Sequence, residues 1–137
     1  MKHRIEFRVL SREAAEAYVP RGVEVCVSIS DPGAPPARLS RAFAAVLRLT
    51  FNDIVAGPAD EDVLFADEHA GQIVRFVRQW PHVDRIVVHC EFGASRSPGV
   101  ALGLCDAFDW PVRDLERVFP SWNRLVRTVI ARTRVLE

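Results

Sequence analysis

The chain has 137 residues, a length that suits one compact domain with enough sequence to bury a core. Apolar residues make up 49% and charged residues 26%, which excludes collagenous, low-complexity and disordered classes. Its 18 basic and 18 acidic residues cancel, so no broad field gathers nucleic acid or anionic lipid, and neither is expected as a partner.

In chain order, the N-terminal Met1-Lys-His-Arg-Ile-Glu has positive charge but no apolar stretch behind it. No apolar run elsewhere approaches the roughly 18 residues of a membrane span, so neither export nor membrane insertion is expected. Ile5 to Leu10 reads as a first strand, and Ser11 then caps a helix that ends before Pro20. Val23 to Ile29 is a second strand, and Asp31 to Pro36 is a loop from its Asp, Pro and Gly content. A short helix is expected over Arg38 to Ala44, then a strand over Ala45 to Phe51 and a loop over Asn52 to Pro58.

Ile73, Phe76, Val77 and Trp80 recur at helical spacing, and Arg85 to His89 is a fourth strand. Val100, Ala101, Leu104, Cys105 and Phe108 form a second helical stripe; Leu125, Val126, Val129 and Ile130 form a third. Pro111 should restart a short helix and Ser121 should cap the last one. Strands separated by helices predict an α/β single domain, 1–137, with a mostly parallel central sheet covered by helices and an all-helical C-terminal third.

Cys26, Cys90 and Cys105 contain no CxxC pair, and their number is odd. A disulfide framework and a zinc module are therefore both disfavoured, and a reducing cytoplasm is expected. His3, His69 and His82 show no metal-ligand spacing, so no metal or cofactor is expected.

The chemistry concentrates in Arg85-Ile-Val-Val-His-Cys-Glu-Phe-Gly-Ala-Ser-Arg-Ser97, a buried strand running through a short loop into an amphipathic helix. Loop N–H groups and the first turn of the following helix can converge on one anion. Cys90 enters this loop and Arg96 leaves it, so sulfur and a bidentate guanidinium can meet the same tetrahedral phosphate, with Gly93 supplying the special backbone angle. The donors that hold phosphate also favour a negative sulfur, so Cys90 is expected to be a thiolate at neutral pH. Attack on a phosphoryl group would give a cysteinyl-phosphate, and the leaving oxygen would need a proton from a general acid. Ser97 can hydrogen-bond the sulfur and help it leave. Taken singly, Cys90 is an ordinary buried cysteine and Arg96 a solvated helix-start residue. The joint pattern His-Cys-x-x-Gly-x-x-Arg-Ser/Thr should arise by chance in only about one in 10⁴ to 10⁵ chains of this size.

His89-Cys90-Glu91-Phe92-Gly93-Ala94-Ser95-Arg96-Ser97 resembles the active-site motif of cysteine-dependent protein tyrosine phosphatases, most closely the small dual-specificity-like branch. The likeness extends to the strand ending near Phe51 with an acidic loop after it, to the helix before the motif strand, and to Pro120-x-x-Asn123 before the last helix. It implies a phosphatase fold with the phosphate loop at the C-terminal edge of the sheet. Cys90 would be the nucleophile, Arg96 the phosphate clamp and Ser97 the thiolate-release hydroxyl. Glu91, Phe92, Gly93, Ala94, Ser95 and Arg96 would bind substrate, with His89 orienting the cysteine and Asn123 bracing the loop.

The family's general acid lies in the loop after an earlier strand, which points to Asp53. The interval from 53 to 90 is longer than the family's usual one, so an inserted loop is implied. Asp60 and Asp62 are the competing acids, although acids in the first turn of a helix need no catalytic explanation. Substrates would be phosphorylated proteins or small phosphate esters, with phosphotyrosine and phosphoserine or phosphothreonine equally open and no statement of oligomeric state. Two alternatives remain: a pseudophosphatase module that binds phosphate without turnover, and a rhodanese-fold phosphatase, whose Cys-to-Arg interval is the same. The loop carries no lysine, which disfavours inositol phosphates.

Overall fold

The computed structural model describes residues 5–54 and 63–133. Four strands, β1 (Glu6–Leu10), β2 (Glu24–Ser30), β3 (Ala45–Thr50) and β4 (Arg85–His89), form one sheet in the order β1-β4-β2-β3. Every pairing is parallel, so the expected mostly parallel sheet is wholly parallel among the described residues. β2 is buried at every position and β4 nearly so, in keeping with their mostly apolar, β-branched centres. β1 and β3 lie at the edges, where exposed and partly covered residues mix and only Leu49 is buried.

The helices are α1 (Arg12–Ala17), α2 (Asp67–Arg78), α3 (Arg96–Phe108), α4 (Leu115–Val118) and α5 (Arg124–Ala131). Val25, Val27, Ile29, Ile86 and Val88 point from the sheet into the main core with Ile73 and Val77 of α2, Val100 and Leu104 of α3, and Val126 and Ile130 of α5. The opposite face is thinner, with Cys26, Val87 and Phe43 packed under Leu10, Tyr18, Leu39 and Val46. Burying each large apolar side chain in these layers contributes about 1.5 to 3 kcal/mol before the entropy of ordering the chain is subtracted.

Three expectations fail. Arg38 to Ala44 forms no helix. The Ser40 hydroxyl captures the Ala42 N–H, the Glu16 carboxylate captures the Arg38 N–H, and the Ala44 N–H already pairs with the Glu24 carbonyl. Seven residues with their donors drawn off in this way cannot sustain a helical nucleus. The last helix is capped by Asn123, not Ser121, for the Asn123 side-chain oxygen accepts from the Val126 N–H at 3.0 Å. The helix expected to restart at Pro111 begins instead at Leu115. Ser11 caps α1 as its sequence suggests, accepting from the Ala14 N–H.

Because all four strands run the same way, their C-terminal ends meet at one edge of the sheet, the edge at which parallel sheets place ligands. Ser11, Asp31, the Phe51 to Asp53 segment and Cys90 all follow directly from those ends.

Candidate active site

β4 delivers Cys90 to this edge, where its N–H bonds the Leu10 carbonyl at 3.4 Å and the Glu91 carbonyl accepts from the Arg12 N–H at 3.0 Å. The loop from Cys90 to Ser95 is thus tied to the end of β1 and the start of α1. Gly93 turns the loop with φ 74, and a Cβ there would stand 2.6 Å from the Ser11 nitrogen and 2.7 Å from the Leu10 carbonyl carbon. Neither the backbone angle nor the space allows a side chain.

The turn at Gly93 aims donors at sulfur. The Gly93 N–H lies 3.3 Å from Cys90 Sγ, the Ser97 N–H 3.4 Å, and the Ser97 hydroxyl 3.1 Å. The Ser97 amide belongs to the first turn of α3, where N–H groups have no intrahelical acceptor and the helix dipole is positive. The two N–H groups donate to the sulfur, and the Ser97 hydroxyl shares a hydrogen bond with it. Burial pushes the Cys26 thiol up to about 12 and the Cys105 thiol up to about 11, so both stay protonated core residues.

Arg96, the first residue of α3, is buried although nothing in its sequence neighbourhood demands that. Its Nη1 donates to the Asp31 carboxylate and to the Phe51 carbonyl, each at 2.8 Å, while Nε is buried with no acceptor. His89 is fully buried. Its Nε2 lies 2.6 Å from the Ser28 hydroxyl and its Nδ1 3.3 Å from the Cys90 carbonyl. Burial pushes the His89 pKa down, aided by the charges of Arg12 and Arg48, so the ring is held neutral. With Nδ1–H donating to the Cys90 carbonyl, Nε2 is left to accept from Ser28.

Asp53 follows β3, and one of its oxygens, Oδ1, accepts from the Ser95 hydroxyl at 2.7 Å and from Asn123 Nδ2 at 2.8 Å. Asn123 does more than brace the loop. Its N–H donates to the Ser95 carbonyl, its side-chain nitrogen also reaches the Ile54 carbonyl, and its side-chain oxygen caps α5. Asn52 and Val63 flank the start of the interval between Asp53 and Cys90 and pair with each other. The Asn52 N–H donates to the Val63 carbonyl, and the Val63 N–H to the Asn52 side chain, so the chain leaves and returns at one point. Asp60 and Asp62 lie outside the described residues.

Glu91, Phe92, Ala94 and Ser95 complete the loop, and Phe92 stands out from it at 84% exposure. Trp122 does not join this group through any contact seen here; Arg127 lies over its ring at 5.3 Å, in a surface knot with Asp106 and Glu116. Two partners escape a reading of the sequence. Asp31 sits in an Asp-Pro-Gly stretch that signals only a turn, and Ser28 occupies an alternating position in a strand. What links Ser28 to His89 is strand register, since the two are direct partners across β2 and β4. What links Asp31 to Arg96 is the shared edge.

No family model and no curated protein matches the chain. Among solved structures it resembles a protein tyrosine phosphatase, Tk-PTP in the active form, with a TM-score of 0.62 over 95% of this chain and 92% of that one, at 16% identity. That likeness places the wholly parallel sheet with its helices in the protein tyrosine phosphatase fold and leaves the rhodanese alternative without support. This chain has the fold of a protein tyrosine phosphatase.

Proposed function

We propose that this protein is a phosphoester hydrolase working through a cysteinyl-phosphate, of the protein tyrosine or dual-specificity phosphatase type. The observation that carries the reading is the convergence of the Gly93 and Ser97 N–H groups and the Ser97 hydroxyl on Cys90 Sγ, with a buried arginine closing the same loop. A loop that favours charge on sulfur also suits the equatorial oxygens of a phosphoryl group, and a transition state that spreads charge over those oxygens gains most from donors already in place.

In the first step Cys90 sulfur attacks phosphorus and the bond from phosphorus to the ester oxygen breaks. Asp53 gives its proton to the departing oxygen, so an alcohol or phenol leaves in place of an alkoxide. In the second step Asp53, now a carboxylate, takes a proton from water as that water attacks phosphorus. The sulfur–phosphorus bond then breaks, with the Ser97 hydroxyl donating to the departing sulfur, and inorganic phosphate is released. His89 holds the Cys90 carbonyl, and hence the entry to the loop, from beneath. The substrate is a phosphorylated protein or a small phosphate ester, and the compartment is the cytoplasm.

Hydrolysis of an aryl phosphate in EDTA, with and without vanadate, tests the reading. Turnover that persists in chelator and stops with vanadate is expected. Phosphate binding without single-turnover release would make the protein a recognition module instead. A panel of phosphotyrosine and phosphoserine or phosphothreonine peptides then decides between the tyrosine-specific and dual-specificity types.

A further inference from the structure

We propose that Asp31 is a positioning residue, one that sets the plane of the Arg96 guanidinium before any phosphate arrives. Asp31 is the first residue past β2, and its backbone is held by a tight turn. Its carbonyl accepts from the Ala34 N–H at 3.0 Å, with Pro32 in the second position and Gly33, at φ 84, in the third. That is the pattern of a type II turn, in which Gly supplies the left-handed angle. The carboxylate is thereby carried on a fixed stem at the same edge as the loop.

The decisive feature is which nitrogen Asp31 takes. Its Oδ1 and the Phe51 carbonyl both accept from Nη1, each at 2.8 Å, one from the end of β2 and the other from the end of β3. Nη1 has two N–H bonds, and both now have acceptors. A guanidinium is rigid and planar, so fixing both of these bonds from two strands fixes the whole plane. The opposite edge, carrying Nε and Nη2, is the fork that matches two oxygens of a phosphate, and Nε is the buried atom left without an acceptor.

Charge supports the same role. The Arg96 side chain is 4% exposed while that of Asp31 is 48% exposed. The arginine therefore bears most of the desolvation cost, and the nearby carboxylate offsets it while the loop is empty. A cation held in place in this way needs little rearrangement to meet the transition state, and this is how pre-organisation becomes rate.

The assignment rests on the phosphatase reading, and the experiment separates the two. Asp31→Ala and Asp31→Asn are compared with the wild type for aryl phosphate kinetics and, by calorimetry, for binding of vanadate and of inorganic phosphate. With Asp31→Ala, kcat should fall about 10- to 100-fold with little change in KM, as expected of a misplaced transition-state contact. Vanadate affinity should fall with it, and by more than phosphate affinity. Asp31→Asn keeps an acceptor on the same stem and should recover most of the loss. A residue that served folding alone would lower the melting temperature and leave the ratio of vanadate to phosphate affinity unchanged. Wild-type kinetics and affinities in Asp31→Ala would overturn the proposal, as would a lower KM with faster turnover, the mark of a carboxylate that competes with substrate. If the wild type turns over no ester, the phosphatase reading fails, yet an unchanged oxyanion affinity in Asp31→Ala still refutes the role of Asp31 by itself.

Discussion

The two ends of this sheet each bury a charged group, and they treat it in opposite ways. At the N-terminal edge Glu24 is 2% exposed, and its carboxylate accepts from the Tyr18 hydroxyl and the Arg21 and Gly22 N–H groups, with Arg85 3.6 Å away. Arg85 in turn donates to Tyr18 and to Glu6. Every carboxylate oxygen of Glu24 has a donor there, and of the donors named only Arg85 Nε lacks an acceptor. At the C-terminal edge donors outnumber acceptors: two N–H groups and a hydroxyl meet only a sulfur, and Arg96 shares one nitrogen between two acceptors. Arg85 Nε is also buried without an acceptor, so an orphaned arginine nitrogen alone does not mark an anion site. What marks it is several donors converging on one point from different elements.

The strongest way to break this contrast is to remove the sulfur. Cys90→Ser should lower turnover by on the order of 10⁴-fold or more, since a neutral hydroxyl without a base is a poor nucleophile. Phosphate binding should survive, because the loop N–H groups and Arg96 remain, and calorimetry with inorganic phosphate checks it. Substantial residual turnover would remove Cys90 from its role. Cys26→Ser and Cys105→Ser, by contrast, should change the melting temperature alone.

Next in size is the substitution of Asp53, the proposed acid. Asparagine at position 53 can still present Oδ1 to Ser95 and Asn123, so Asp53→Asn should fold normally while losing the proton. The expected loss in kcat is about 10² to 10⁴ for an ester with a poor leaving group, shrinking for a good one, with the alkaline limb of the pH profile flattened. Asp60→Asn and Asp62→Asn are the controls. If either of them flattens that limb while Asp53→Asn does not, the acid lies in the acidic run.

Asn123 sharpens the comparison more finely, since it ties Asp53 to the loop from the start of α5. Asn123→Ala removes the donor to Asp53 and the cap of α5 together. A stability loss of about 1 kcal/mol is expected from the cap. A further kcat loss of roughly 10-fold is expected from a loosened acid, within the range for misplaced catalytic groups. Asn123→Ser separates the two, because a serine can still cap but is too short to donate to Asp53. Stability should return while kcat stays low.

Much of this was legible in the sequence, for reasons that differ by element. β2 and β4 announced themselves by their β-branched, mostly apolar centres, Val25 to Ile29 and Ile86 to Val88, and the Cys90 to Ser97 loop because all its parts are local in sequence. Partners brought from other strands were not legible. Ser28 meets His89 through register and Asp31 meets Arg96 through a common edge, and neither register nor edge can be counted along the chain. The failed helix at Arg38 to Ala44 has the same origin, since the Glu16 and Glu24 groups that draw off its donors lie on other elements.

The smallest expected effect separates the two ends by pH. His89 has its pKa lowered by burial, so the unfolded chain takes up a proton near the ordinary histidine value of 6.5 while the folded chain resists it. Its contribution is therefore present above that value and is lost as pH falls from it toward the lower folded-state pKa, with a limiting slope of about 1.4 kcal/mol per pH unit. His69, lowered by burial as well, adds to the same window. Glu24 titrates elsewhere. Burial alone would raise its carboxyl, but the hydrogen bonds from Tyr18, Arg21 and Gly22 and the charge of Arg85 outweigh burial and hold it below the ordinary 4.5. The stability it supplies is intact above 4.5 and is lost as pH falls through its folded-state value. Denaturant unfolding between pH 7 and 3.5 should show two declines, the first weakened in His89→Gln and the second in Glu24→Gln. If His89→Gln leaves the upper decline unchanged while His69→Gln removes it, the neutral ring beneath Cys90 contributes nothing to the pH dependence, and the C-terminal end of the sheet is no more sensitive to mild acid than the Glu24 knot at the other.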